Sequence, residues 1–396
     1  VKVRDYSKND YFFANSDQGY YCSFMFKINF QKIKWVNLVF FVLSPFVAVI
    51  GTIWVIKNGG IHWATWILTL GMLYACGLSI TAGYHRLFSH RTYQASWPAR
   101  LFFILFGAGA LEGSARWWCQ EHRDHHRYVD TEKDPYGINK GFWYAHIGWL
   151  LTTEHDEKRG YGNIKDLKLD PLIRVQDKYY AVFSIFMGFL FPMAVAALWG
   201  DPWGGLFIAG FARIVFNHHA TFCINSLCHY LGKQTYSDKH SAKDSWIAAL
   251  ITYGEGYHNF HHEFQSDYRN GVRSYHWDPS KWLIQIMAGL KMARNLRKVS
   301  WQRILNAKLM MDQKRAELAM DKPNELLVAA REHLQQAHER FLLLKREYQK
   351  IKKEKMYLMA NRLEELRAEM KQSRKEFKLA MAQWQSLLKT PVGLAA

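Results

Sequence analysis

The sequence predicts an all-α integral membrane protein. Four transmembrane helices pair into two hairpins, a cytosolic helical cap holds a histidine-rich site for two metal ions, and a long helical tail follows. Three observations carry this prediction. Four long apolar runs are paired by very short turns. Three histidine clusters follow or separate those runs. Beyond residue 301 the chain is dense in charge and holds no Gly until Gly393.

Composition narrows the classes. Hydrophobic residues make up 49% of the 396 and aromatics 16%, which excludes a disordered chain. Lys and Arg number 52 against 34 Asp and Glu, a formal net charge of +18. Such a balance suits an anionic membrane surface, nucleic acid or a polyanionic substrate. Mean hydropathy is −0.24, an average over two unlike halves. The five cysteines (Cys22, Cys76, Cys119, Cys223, Cys228) lack the spacing of a disulfide framework, so reduced thiols in a cytosolic setting are expected. The sequence begins without Met, consistent with processing or trimming there.

Residues 1–34 are polar, aromatic and basic and lack the pattern of a signal peptide. Residues 35–56 carry no charge. At about 1.5 Å per residue they cross the ~30 Å hydrocarbon layer. Lys57-Asn58-Gly59-Gly60 makes a turn, and residues 61–83 return. A third run covers 178–199, Gly200-Asp201-Pro202 turns the chain, and a fourth covers 203–224. Residues 101–111 are too short to span and read as interfacial or re-entrant. The two turns hold one Lys and one Asp, whereas the N-terminus, the middle segment and the C-terminus hold nearly all the cations. The positive-inside rule therefore places both termini and every histidine cluster on the cytosolic side.

The tail, residues 301–396, has its own logic. Asp321-Lys322-Pro323 reads as a break with a helix start behind it. Nothing from 324 to 389 breaks a helix, and apolar residues fall near heptad spacing from Leu327 through Leu334, Phe341 and Tyr348. They resume at Met359 and run to Leu388, with a stutter or bend between. As one helix this stretch would extend about 100 Å. Two readings stand side by side: an amphipathic helix that folds back on itself or on the membrane face, and an oligomerising or docking coiled coil.

Histidine is the informative residue. His85 and His90 lie five apart, directly after the second apolar run. His122, His125 and His126 form a second cluster, and His258, His261 and His262 repeat its spacing. Helical residues three and four apart share a face, so the members of each triplet can converge. His229 follows Asn225 by four, again one face. Neutral imidazole suits iron, zinc and copper. Nine such nitrogens exceed one metal's needs and fit two ions of four or five ligands each, with Asn225 able to add its carbonyl oxygen directly or through water. Soluble di-iron bundles use a pair of Glu-x-x-His motifs, and this sequence lacks such a pair, so a di-iron site here is of the all-histidine membrane type. His62, His146, His155, His218, His219, His240, His276, His333 and His338 read as ordinary side chains.

At these residues the sequence resembles the membrane fatty acyl desaturases, in their stearoyl-CoA Δ9-desaturase-like branch. The matching stretches are Thr81-Ala82-Gly83-Tyr84-His85 through His90, His122 through His126, Asp134-Pro135, Gly141 through Trp149, Asn225 through His229, and Gly254-Glu255-Gly256-Tyr257-His258 through His262. They fall in collinear order within residues 35–300. The resemblance implies a mushroom-like enzyme with a cytosolic cap, the nine histidines as iron ligands and Asn225 acting through water. It implies two iron(II) ions, dioxygen as co-substrate and removal of two hydrogens from an unactivated CH₂–CH₂ pair in a saturated C16 or C18 acyl chain. A narrow apolar tunnel would orient that chain by shape.

Tyr74, Gly77 and Leu78 are candidates for the tunnel floor, with ordinary helix packing the alternative. Arg116, Trp118, Gln120, Glu121, Lys140, Trp149 and Phe222 are the other candidate substrate contacts. The chain departs from the animal pattern at several of these. Gln120-Glu121 replaces an Arg-Asp pair, Thr153-Glu154 an Arg-Lys pair, Phe222 a Trp, and Gln265 a Pro. Phosphate recognition favours Arg and Lys, so the lost cations weaken animal-style CoA binding. Arg116, Arg123, Arg127 and Lys140 can substitute. Acyl-CoA is the first expectation, with acyl-lipid or acyl-carrier-protein substrates open.

No His-Pro-Gly-Gly haem signature occurs in the sequence, whereas fungal members of the family carry a fused cytochrome b5. An electron donor in trans is therefore expected: cytochrome b5, ferredoxin or rubredoxin. The basic surface and tail would recruit it if it is acidic. A membrane hydroxylase shares the same metal logic. A metal transporter would need ionisable residues inside the spans, where only Arg213 and His218-His219 qualify. No nucleic-acid motif appears. The expected setting is a bacterial inner membrane or the endoplasmic reticulum.

Overall fold

A computed structural model describes residues 30–153, 164–320, 325–353 and 360–389. Most of the N-terminal segment, Glu154, His155, the Asp321-Lys322-Pro323 break and the stutter at 354–359 lie outside the described residues.

Helix α1 (Trp35–Lys57) and helix α2 (Trp63–Ser89) follow the first two apolar runs, and α6 (Tyr180–Ala197) follows the third. These three are long and apolar enough to cross a membrane by length and composition. The fourth run is helical as well: α7 covers residues 202–225 with a π-helical stretch at Gly205–Ala212. It carries Arg213, Asn217, His218 and His219, which lower its apolar character. Arg213 is buried. Its guanidinium donates to the backbone carbonyls of Ala209, Gly109 and Gly188 at 3.0, 2.6 and 3.1 Å. His218 Nε2 lies 3.0 Å from the Ala110 carbonyl. Both polar groups thus fasten α7 to the segment after α3, which is a packing role.

The two short turns meet. Asp201 accepts hydrogen bonds from the His62 amide (3.1 Å) and the Thr65 hydroxyl (2.6 Å), and caps its own helix at Gly204 (2.9 Å). Where α1 and α7 cross, an added Cβ at Gly51 would lie 2.1 Å from the Phe207 ring, so only Gly permits that approach.

Helix α3 (Trp97–Ala108) is the short apolar segment anticipated between the spans, and α4 (Ala115–Tyr128) bears the second histidine cluster. Helix α5 (Pro171–Lys178) packs beside α3 and α4. The cap adds α8 (Leu227–Tyr230), α9 (Trp246–Ile251), α10 (His258–Glu263) and α11 (Pro279–Gly289). A two-residue ribbon pairs β1 (Gln94–Ala95) with β2 (Ala293–Arg294). Met72, Ile80, Tyr84, Phe103, Ile173 and Ile284 belong to the core that locks α2, α3, α5 and α11 together.

The tail does not form one extended rod. Helix α12 (Trp301–Met320) is followed by α13 (Glu325–Lys353) and α14 (Ala360–Leu387), which pack against each other. Arg362 pairs with Glu347 and Arg340 with Glu376, so the two helices run antiparallel. Leu327, Leu334, Ala380 and Trp384 close against Leu305 and Leu309 of α12. The heptad-spaced residues therefore bury one another within the chain, as the fold-back reading anticipates. The extended 100 Å helix does not occur, because a returning helix of the same chain covers the apolar stripe more readily than solvent does.

Candidate metal centre

Helix α2 changes character before the cap. From Ser79 to Ser89 it is π-helical, bonding five residues back, and the His90 amide continues the pattern to the His85 carbonyl at 3.0 Å. Residues five apart do not share a face in an α-helix, but the wider turn brings His85 and His90 together, with ring centroids 4.9 Å apart. Helix α4 presents His122, His125 and His126, and α10 presents His258, His261 and His262. His229 stands on α8, beyond a break at Ser226 whose hydroxyl lies 2.9 Å from His146 Nδ1.

The nine histidines sort into two groups. His85, His90, His122, His126 and His261 form one, and His125, His229, His258 and His262 the other. Within each group the candidate ligand atoms lie within 4.8 Å of one another. The Nε2 atoms converge: His85 to His261 at 2.9 Å, His90 to His122 at 2.8 Å, His126 to His261 at 2.9 Å, and His258 to His262 at 3.1 Å.

The other ring nitrogens are held from behind. His85 Nδ1 lies 2.9 Å from Glu255 and His125 Nδ1 2.9 Å from Asp134. His229 Nδ1 lies 2.7 Å from the Ser241 hydroxyl, which donates in turn to Asp130. Carboxylates and hydroxyls in these places fix the tautomer and aim the Nε2 lone pair inward. His229 Nε2 is buried without a hydrogen-bond partner. Burial, reinforced by neighbouring imidazoles, pushes His90, His122, His126, His229, His261 and His262 well below the usual histidine range, and His258 to about 3. Neutral imidazoles with convergent lone pairs fit two metal ions, and the all-nitrogen donor set suits iron, zinc or copper.

Glu255 was not singled out from the sequence. It also accepts a hydrogen bond from Arg86 at 2.7 Å, and Arg86 reaches Asp278 at 3.0 Å. Burial raises the Glu255 carboxyl, but His85 and Arg86 outweigh it and bring it down to about 2. The glycines around it have steric reasons. An added Cβ at Gly254 would lie 2.6 Å from the Asp278 backbone, and one at Gly256 would lie 2.1 Å from the Ala249 nitrogen. That Gly-Glu-Gly spacing was the available signal. Asp134 stood in a matching stretch without a role assigned to it, and Tyr136 was not singled out; Tyr136 stacks on His125 at 4.5 Å.

A cavity of about 360 Å³ adjoins the first group and is lined by both His85 and His122. Trp118, Glu121, Trp149, Phe222 and Asn225 of the expected contacts line it, together with Ile80, Thr81, Glu112 and Tyr136. Trp118 stacks on His122 at 5.1 Å, and Trp149 lies parallel to Trp117 at 6.0 Å. Tyr74, Gly77 and Leu78 are not among its lining residues. Gly77 faces the Tyr253 ring, where an added Cβ would lie 2.4 Å away, and Tyr74 meets the same ring edge-on at 5.8 Å. The surroundings of Tyr74 and Gly77 are those of helix packing. Arg116 pairs with Asp177 at 2.7 Å, Arg123 with Asp166 at 2.8 Å, and Lys140 lies over the Tyr144 ring at 5.0 Å. Gln120 is buried.

The profile of the family described as Fatty acid desaturase matches residues 61–281, which hold every histidine of both groups. The chain belongs to this family. It is 44% identical over 267 residues to a probable acyl-CoA desaturase of Schizosaccharomyces pombe, covering 67% of this chain and 55% of that protein. It is 40% identical over 289 residues to acyl-CoA desaturase 1 of Saccharomyces cerevisiae, covering 72% and 56%. Against the stearoyl-CoA desaturase of Sus scrofa it is 35% identical over 276 residues, covering 68% and 76%. The chain thus spans about half the length of the two fungal relatives. Helices α12 to α14 lie beyond the family match.

Proposed function

We propose that the protein is an oxygen-dependent acyl-CoA desaturase that introduces a cis double bond, at Δ9, into saturated C16 or C18 chains. One observation carries the reading: two adjoining all-histidine groups, one of which forms a wall of an apolar cavity. The nine histidines would hold two iron ions, with Asn225 contributing through water. Iron bound there supplies the one-electron and dioxygen chemistry that amino-acid side chains lack. The names of the fungal and mammalian relatives support the acyl-CoA substrate.

The chain's own residues do the rest. Methylenes offer no polar handle, so the cavity walls orient the acyl chain by shape, with Trp118 and Phe222 against it and His85 and His122 beside it. Glu255 and Asp134 hold their imidazoles in one tautomer. Arg116 and Arg123 are already paired, which leaves Lys140 and Arg127 as cations for the thioester head group.

Four spans, with α7 as the fourth, and a cytosolic cap accord with the charge distribution. Electrons would come from an acidic donor in trans, drawn by the basic surface. The eukaryotic sources of the matched relatives favour the endoplasmic reticulum over a bacterial membrane. The buried apolar stripe of the tail favours folding back over self-association.

The test is expression in a host lacking Δ9 unsaturation, with double-bond localisation by mass spectrometry. New Δ9-unsaturated C16 or C18 chains, lost with His126→Ala, support the reading. Hydroxylated chains replace it with the hydroxylase. Iron-loaded protein without any new lipid product, supplied with each of the three donors, refutes it.

A further inference from the structure

His240 belongs to none of the histidine clusters read from the sequence, yet the fold brings it to the metal centre. Its ring centroid lies 5.0 Å from that of His262. It is 9% exposed, and both ring nitrogens are buried without a hydrogen-bond partner. An imidazole with neither nitrogen satisfied is costly, about 1–3 kcal/mol for each unmade bond, and calls for an explanation. His125, His229 and His258 are all within its electrostatic reach. The group it borders has four imidazoles, whereas its neighbour has five.

The loop that carries His240 is fixed on both sides. Toward the centre, the next residue, Ser241, holds His229 Nδ1 at 2.7 Å and bonds Asp130 through both its amide and its hydroxyl. Asn259 of α10 donates to the Ser237 and Ala242 carbonyls at 2.7 and 2.9 Å. Away from the centre, the His240 carbonyl accepts from Gln234 Nε2 at 2.6 Å, and the Gln234 carbonyl accepts from Arg315 of α12 at 2.8 Å. Lys314 of the same helix pairs with Asp238. The backbone of His240 is therefore held in place while its ring nitrogens have no hydrogen-bond partner among the described residues.

We propose that His240 is the fifth imidazole of the group formed by His125, His229, His258 and His262, supplying a nitrogen to a divalent first-row metal ion there after a turn about its side-chain torsions. Helix α12, which lies beyond the family match, is the brace that keeps the loop within reach. The inference rests on the reading of the two histidine groups as metal sites.

The test uses the full chain in detergent, stripped of metal and titrated anaerobically with cobalt(II). Metal stoichiometry, affinity and the visible absorption of bound cobalt are followed for wild type, His240→Ala, His240→Phe and the tail variant His333→Ala. Phe fills the space of the ring without its nitrogens. Wild type and His333→Ala are expected to bind two ions. Both His240 variants should keep one site intact and bind the second ion about tenfold or more weakly, as loss of a supporting group commonly does. The cobalt absorption of that second site should change while the metal-free melting temperature of His240→Phe holds. Two ions bound by His240→Phe with wild-type affinity and absorption would overturn the proposal. Wild type that binds no cobalt overturns the metal reading itself, a result distinguishable from the first.

Discussion

Glu255 Oε2 lies 2.9 Å from Nδ1 of His85, and the other carboxylate oxygen lies 2.7 Å from Arg86. One buried carboxylate thus joins an inward-facing imidazole to a buried guanidinium that also meets Asp278. Glu255→Gln keeps the shape and removes the charge. We expect metal affinity at the five-histidine group to fall about 10- to 100-fold, measured by titration of the metal-free protein.

Arg86→Met leaves Glu255 and Asp278 buried without their shared cation. Removing one partner of a buried ion pair commonly costs about 3–5 kcal/mol. The expected result is a clear drop in the melting temperature of the metal-free protein in detergent. An unchanged midpoint would show that the cluster contributes nothing to stability.

Gly77 separates the two readings of α2. An added Cβ meets the Tyr253 ring at 2.4 Å, and Tyr253 donates its hydroxyl to Asn217 at 2.8 Å. Gly77→Ala should therefore cost about 1–3 kcal/mol of stability through overpacking. If Gly77 instead forms the tunnel floor, the same variant shifts the preferred acyl-chain length with the melting temperature unchanged. Measuring both properties on one preparation decides between them.

His276 stacks on Tyr257 at 4.5 Å, and burial, with Lys281 and Arg273 adding to it, lowers its pKa to about 4. In the unfolded chain it titrates near 6.5. Between those values the unfolded state binds a proton that the folded state refuses, so stability falls as the pH drops from about 6.5 toward 4. His276→Phe retains the stack and removes the titration. Its stability should decline less steeply than that of wild type over the same window, read from denaturant midpoints at several pH values.

Leu334 is fully buried between the tail helices. Leu334→Ala should destabilise the α13–α14 hairpin by about 2–5 kcal/mol. Limited proteolysis should then cut within 325–387 sooner, with residues 61–281 still protected. Equal cleavage rates in the two proteins would mean that the hairpin core does not set tail stability.

Local pattern carried much of this protein. A charge-free run such as residues 35–56 has one economical solution in a lipid layer, and His122 and His126, four apart on a helix, share one face. The division of the nine histidines was not local: His125 and His126 are neighbours in the chain yet enter different groups, because successive helical residues point in different directions, His126 toward His90 after α2 and His125 toward His229 on α8. Glu255, Asp134 and Ser241 acquired meaning only once the fold placed them behind a particular ring. Lone residues such as Arg213 and His240 looked alike in the sequence. One proved to be satisfied by carbonyls of α6, α7 and the segment after α3, and the other to have no hydrogen-bond partner for its ring nitrogens among the described residues. The sequence by itself determined the apolar helices, the ligand-rich clusters and the tail's amphipathic stripe, since each depends on spacing along one element. Tertiary structure decided which nitrogens converge, what stands behind them and which stripe the tail covers, since those depend on residues up to about two hundred positions apart meeting in a dry interior where unpaired charge and polarity are costly.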